Sequence, residues 1–151
     1  MLNCTEKGEE EMAEEKLPTF EEVRAMVGRK KEVVLEIDQN MVRAFCRCIG
    51  EPESKWRKEA PPGFLTTGMM SGGRKATEIP VPYRRTVDAG ADWEFHKPIE
   101  VGDIITTVHE FTDIQDKSSE KGPRALMIFK STHKNQKGEL VAVSTGRLMS
   151  F

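Results

Sequence analysis

A chain of 151 residues with 37% hydrophobic and 32% charged residues holds enough apolar material for one core and too little for two. Its 23 Lys and Arg against 25 Asp and Glu leave a formal net charge of -2, which excludes both the basic footprint of a nucleic-acid binder and an acidic disordered chain. No apolar run approaches the roughly 18 to 20 residues of a membrane helix, and the start is acidic where a secretory leader is basic and then apolar. A cytoplasmic protein with neither membrane nor nucleic acid as partner is expected.

Residues 1–16 are rich in Glu and poor in bulky apolar groups, so they are expected to form a disordered acidic tail, with Met12 an alternative start. Residues 17–151 are expected to be one domain. Thr19-Phe20-Glu21-Glu22 reads as a capping box opening a short helix that Gly28 closes. Glu32 to Ile37 is the first expected strand. Asp38 caps a second helix whose apolar residues Met41, Val42, Phe45 and Ile49 follow helical spacing, and Gly50 ends it. Cys46 and Cys48 on this helix lie roughly 200° apart around its axis, so they share neither metal nor disulfide; with Cys4 they are expected to be reduced thiols. No metal site and no cofactor is expected.

After a polar loop over 51–59, the segment from Ala60 to Gly73 has prolines at its start and glycines at its end, the asymmetry of a helix's two termini. It predicts a buried central helix over roughly Pro62 to Ser71, with Phe64, Leu65, Met69 and Met70 as core or tunnel wall. Gly72-Gly73-Arg74-Lys75 lacks the full spacing of a phosphate-cradling loop and reads as that helix's C-terminus. Lys75 to Val87, interrupted by Pro80 and Pro82, is expected to be a long surface loop. Strands follow near Asp92 to His96, Ile104 to Asp116, Arg124 to Lys134 and Glu139 to Ser150, with turns at Lys121-Gly122-Pro123 and Lys137-Gly138. The economical architecture is α+β, an antiparallel sheet around one helix. His96, His109 and His133 are the only histidines, and sheet-surface or hairpin positions are expected for them.

Three words in the second half carry a resemblance. Glu94-Phe95-His96-Lys97-Pro98, Val101-Gly102-Asp103 and Asn135-Gln136-Lys137-Gly138-Glu139-Leu140-Val141-Ala142 stand in the order and spacing found in N-terminal-type domains of the MaoC-like dehydratase family. The likeness extends back to about Leu17. It implies a single hot-dog fold, an antiparallel sheet wrapped around a central helix, and thioester chemistry of the (R)-specific enoyl-CoA hydratase or 3-hydroxyacyl dehydratase type. Such chemistry needs a carboxylate and an imidazole to activate water and protonate Cα. Active members supply them as Asp and His five positions apart in a G-D-x-N-P-x-H motif between the first long helix and the central helix. The corresponding segment here is Gly50-Glu51-Pro52-Glu53-Ser54-Lys55-Trp56, so Glu51 replaces the aspartate and Trp56 the histidine. Where the family often has His-Gly-Gly before its aromatic strand, this chain has Asp88-Ala89-Gly90.

The resemblance therefore assigns no catalytic residue here, with Glu51 left as the candidate acid. It implies an acyl-CoA ligand and a second MaoC-like hot-dog subunit that brings the Asp/His pair. Trp56, Pro62, Gly63, Phe64, Trp93 and Phe95 are the implied substrate-binding residues. The basic pairs Arg57-Lys58 and Arg84-Arg85 are candidates for the coenzyme A phosphates. Two alternatives stand beside this reading: a self-sufficient homodimeric hydratase or thioesterase using Glu51 or Asp88, and a non-enzymatic acyl-CoA-binding module.

Overall fold

The structure, a computed structural model, describes residues 16–67 and 72–151. Apart from Lys16, the expected acidic tail lies outside them, as do Met69, Met70 and Ser71 of the expected central helix.

Local chemistry starts the first two helices where expected, although the first ends at Arg24, with Ala25 and not Gly28 as its C-cap. The Thr19 hydroxyl accepts from the Glu22 amide while the Glu22 carboxylate accepts from the Thr19 amide, a complete capping box that starts helix α1, Phe20–Arg24. Strand β1, Lys30–Glu36, leads to Asp38, whose carboxylate accepts from the amides of Asn40 and Met41 and so starts α2, Gln39–Ile49. Gly50 ends α2 with φ 73°, a left-handed position where a side chain would be strained. Cys46 is buried and Cys48 exposed, which separates the two thiols as helical geometry requires.

Of the expected central helix, only the part up to Thr67 lies among the described residues. Pro61 and Pro62 open a 3-10 helix over Pro62–Thr66, with Phe64 N–H donating to the Pro61 carbonyl and Thr67 N–H to that of Phe64. Phe64 and Leu65 on it are buried. A short α-helix, α3, then spans Gly73–Thr77. Gly72-Gly73-Arg74-Lys75 thus begins a helix, where the sequence had suggested an end. The reason is packing: a Cβ on Gly73 would sit 3.0 Å from Cβ of Phe129, so this glycine permits close approach of helix to sheet rather than a reversal of the chain. The surface loop expected over Lys75 to Val87 is correspondingly shortened at both ends, by α3 and by the start of the next strand.

A two-residue ladder joins β2, Glu59–Ala60, to β4, Ile99–Glu100. The main sheet has five antiparallel strands in the order β1-β5-β6-β7-β3, with β3 Thr86–Phe95, β5 Ile104–Asp116, β6 Ala125–Lys134 and β7 Leu140–Ser150. The last three match their expected bounds within a residue. β3 is twice its expected length; it runs along the edge, pairs only with β7 and has a register break between Asp88 and Ala91. On one face of the sheet, inward residues divide into two apolar clusters. The first gathers Ile37, Val42, Phe64, Leu65, Ile99, Ile105 and Val141 with their neighbours; the second gathers Val23, Ile79, Phe111, Ile114, Met127 and Phe129.

The family words meet in space. Asp103 accepts from the Glu100 amide at 2.9 Å through one oxygen and from Gln136 Nε2 at 2.9 Å through the other, while Gln136 Oε1 accepts from the Ile104 amide. Lys97 pairs with Glu139, which also accepts from Asn135 Nδ2. Gly102, at φ 93°, provides the left-handed bend that turns the chain into β5. These residues lock the β5 entry to the β6-β7 turn, a structural task. Asp103→Ala leaves two donors short of partners at a nearly buried site and is expected to cost about 1–3 kcal/mol, read as a lower urea midpoint at unchanged slope.

Candidate active site

The segment that follows α2 is the one the family resemblance aligns with a catalytic pair, and its residues Glu51 and Trp56 meet in the structure. Trp56 Nε1 donates to Glu51 Oε2 at 3.1 Å, and Lys55 Nζ reaches the same oxygen at 3.2 Å. The Trp56 bond, first, and the Lys55 contact hold the Glu51 carboxyl below the usual carboxylate range. A general acid needs the opposite shift, and an indole N–H, which has no lone pair free to accept a proton, cannot act as the base. The five-residue spacing and the hydrogen bond of a dyad are both present here. Its proton-transfer chemistry is not.

Trp56 also forms one wall of a cleft of about 340 Å³, with Glu59, Ala60, Pro62, Phe95, His96, Lys97, Pro98 and Ile99 around it. The β2-β4 ladder, unanticipated from the sequence, supplies part of this lining because Ala60 pairs with Ile99. Of the six expected substrate-binding residues the cleft brings together Trp56, Pro62 and Phe95. Phe64 lies behind it in the core, 2% exposed and edge-on to Phe45 at 5.6 Å, and Gly63 precedes it within ordinary contact distance of the Phe45 ring. Trp93 stacks on Phe95 at 5.7 Å and faces a second groove of about 450 Å³, lined among others by Gly73, Arg74, Asp88, Phe129 and Arg147. Arg147 is paired with Asp92.

The basic pairs are not brought together. Arg57 and Lys58 precede β2 beside the first cleft, both exposed. Arg85 exchanges backbone hydrogen bonds with Phe151 just before β3, so it and Arg84 lie a full strand from Phe95, about 30 Å at about 3.3 Å per residue. Asp88, the alternative acid, is exposed on β3 and accepts from the Gly90 amide.

The histidines divide differently from expectation. His96 is exposed and within 3.5 Å of Glu94. His109 and His133 are not on the surface: they are 1% and 0% exposed on the inward face of the sheet. His109 Nδ1 shares a hydrogen bond with the Ser131 hydroxyl and His133 Nδ1 with that of Thr107, each at 2.8 Å. The physical reason is strand parity, since Ile105, Thr107 and His109 on β5, and Met127, Phe129, Ser131 and His133 on β6, all turn inward. Burial lowers the pKa of both imidazoles; for His133, with the neighbouring His109 as a lesser cause, it falls to about 4. Both are neutral near pH 7. Among the described residues no three His, Cys, Asp or Glu side chains are grouped to hold a metal, and no helix is long and apolar enough to cross a membrane.

The model of the FAS1-like dehydratase domain region matches residues 25–144, four-fifths of the sequence. The chain belongs to this dehydratase family. Solved structures agree in fold. The C-terminally truncated HadBC (3R)-hydroxyacyl-ACP dehydratase complex of Mycobacterium tuberculosis superposes with TM-score 0.64 at 15% identity, covering 83% of this chain and 97% of that one. A chain of the ChsH1-ChsH2 complex from the same organism gives TM-score 0.63 at 14% identity, over 87% and 88%. The R-hydratase PhaJ1 of Pseudomonas aeruginosa, in its unliganded form, gives 0.60 at 20% identity, over 82% and 81%. No curated protein matches the sequence. The fold is the hot-dog of the MaoC-like dehydratases, α+β, with the antiparallel sheet curled over short helices.

Proposed function

We propose that this dehydratase-family chain is the non-catalytic subunit of a heteromeric (R)-specific enoyl-CoA hydratase or 3-hydroxyacyl-CoA dehydratase. In this reading a partner hot-dog subunit supplies the Asp/His pair, and this chain shapes the acyl side of the shared site. The observation that carries it is the Glu51–Trp56 hydrogen bond standing where a carboxylate and an imidazole would work together. Trp56, Pro62 and Phe95, with Phe64 behind them, form the acyl-facing surface, and Trp93 continues it. Arg57 and Lys58 stand nearest that surface as contacts for coenzyme A phosphate, with Arg84 and Arg85 as a second, distant pair. Two of the structural relatives are themselves described as complexes, which supports assembly with a second subunit.

The edge strand supports it too. β3 leaves ten residues with one side unpaired and exposes Val87 and Phe95, and a long edge of this kind favours pairing with another sheet. Sedimentation of the chain mixed with a MaoC-like hot-dog partner bearing the Asp/His pair is expected to give one heteromeric species in place of the separate components. A chain that stays monomeric at micromolar concentration in the presence of such a partner would overturn the assembly. A stable homodimer that excludes the partner would favour the self-sufficient alternative.

A further inference from the structure

Between the two apolar clusters of the core runs a band of polar side chains. Thr107 on β5 stands directly opposite His133 on β6; one row along, His109 stands opposite Ser131, which stands opposite Ser144 on β7, which stands opposite Trp93 on β3. Directly opposed residues of an antiparallel pair share a face, so these groups line one inward surface. All five polar residues are at most 5% exposed, and none is charged at neutral pH. Their hydrogen bonds account for Nδ1 of each imidazole. Nε2 of His133 is buried and, among the described residues, has no partner.

A buried imidazole nitrogen without a partner is destabilising, and an apolar residue in the same place would not be. Such a group in a core calls for an explanation beyond packing. Trp93 supplies the connection. Its ring stacks on His133 at 5.4 Å and 19°, and it also lines the groove that runs between β3, β7 and the start of α3. Among the described residues it joins the polar band to an open groove of the protein.

We propose that this band is a polar subsite inside the acyl-binding region. His133 Nε2 and the Ser144 hydroxyl receive an uncharged oxygen, a hydroxyl or a ketone, carried on the acyl chain, which enters beside Trp93. The inference rests on the reading of the chain as an acyl-thioester-binding subunit and goes beyond it by naming the kind of acyl group preferred. A neutral imidazole and the band's hydroxyls match a neutral oxygen; among the five residues of the band a carboxylate would meet no cation.

The test compares a long saturated acyl-CoA with thioesters of the same length bearing a hydroxyl or ketone scanned along the chain. They are titrated, below micellar concentration, against the full chain in complex with its hot-dog partner. An oxygenated chain of the right position is expected to bind about tenfold more tightly, the worth of one well-made buried hydrogen bond. With 15N-histidine label, the Nε2 resonance of His133 shifts with that ligand and stays put with the plain one. His133→Phe keeps the stack on Trp93 and is expected to abolish the preference while the plain chain still binds. Should that variant fail to fold, Ser144→Ala and the wild-type resonance decide the matter. Equal binding of plain and oxygenated chains with an unmoved Nε2 resonance would overturn the subsite alone and leave a role in packing or in holding a buried water. No binding of any acyl-CoA would overturn the acyl-binding reading and the subsite together.

Discussion

Glu51→Gln, introduced into a complex of this chain with an Asp/His-bearing partner, is expected to leave enoyl-CoA hydration nearly unchanged. Loss of a true general acid or base costs on the order of a hundredfold or more, so the two outcomes do not overlap. Glu51 is held ionised by the Trp56 and Lys55 hydrogen bonds, and its partner in the pair is an indole that can only donate. On the proposed reading the carboxylate fixes the loop after α2 and leaves proton exchange with substrate to the partner subunit. A fall in turnover of a hundredfold at unchanged KM would place Glu51 in the reaction and favour the homodimeric enzyme.

The second large effect concerns acid. In the unfolded chain His133 titrates near its ordinary value of 6.5; in the folded protein burial lowers that to about 4. Between these values the unfolded state binds the extra proton, so stability is full above about pH 6.5 and is lost progressively as pH falls toward 4. A displacement of that size corresponds to about 3 kcal/mol, and His109, shifted in the same direction by its burial, adds to it. Urea midpoints measured from pH 7 to pH 4 are expected to fall steeply in the wild type and much less in His133→Phe. Equal slopes in the two proteins would mean that His133 is not buried neutral.

Much of the fold was legible because it is written in local chemistry. Thr19, Asp38 and Gly50 mark helix ends by the groups they offer or the φ they tolerate, and they act at those positions in the structure. The three long strands β5, β6 and β7 were readable from β-branched and aromatic content between Gly-bearing turns. β3 was half missed because Asp88-Ala89-Gly90-Ala91-Asp92 has poor strand propensity, and only the β7 ladder holds it extended. The start of α3 at Gly73 was hidden because a glycine that stops a helix and a glycine that lets one touch a neighbour look alike in one dimension; Phe129 distinguishes them and lies 56 residues away. For the segment Gly50 to Trp56 the family motif supplied a five-residue spacing, and the structure shows Glu51 and Trp56 in contact at that spacing. The polar band was not, although the signal existed: Met127 and Phe129 fix the inward parity of β6, and His133 lies four residues further on with the same parity. Apolar residues of the opposite parity, Leu126 and Ile128, obscured it.

The role proposed for this chain is to take part in thioester hydration without performing it. Its most direct test is the rate of enoyl-CoA hydration, followed by loss of absorbance of the conjugated thioester, for the purified chain alone, for the partner alone and for the two together. The expected result is background for the isolated chain, with turnover by the pair exceeding that of the partner alone or extending to bulkier acyl groups. Robust hydration by the isolated chain, at a rate unchanged by adding the partner, would contradict it.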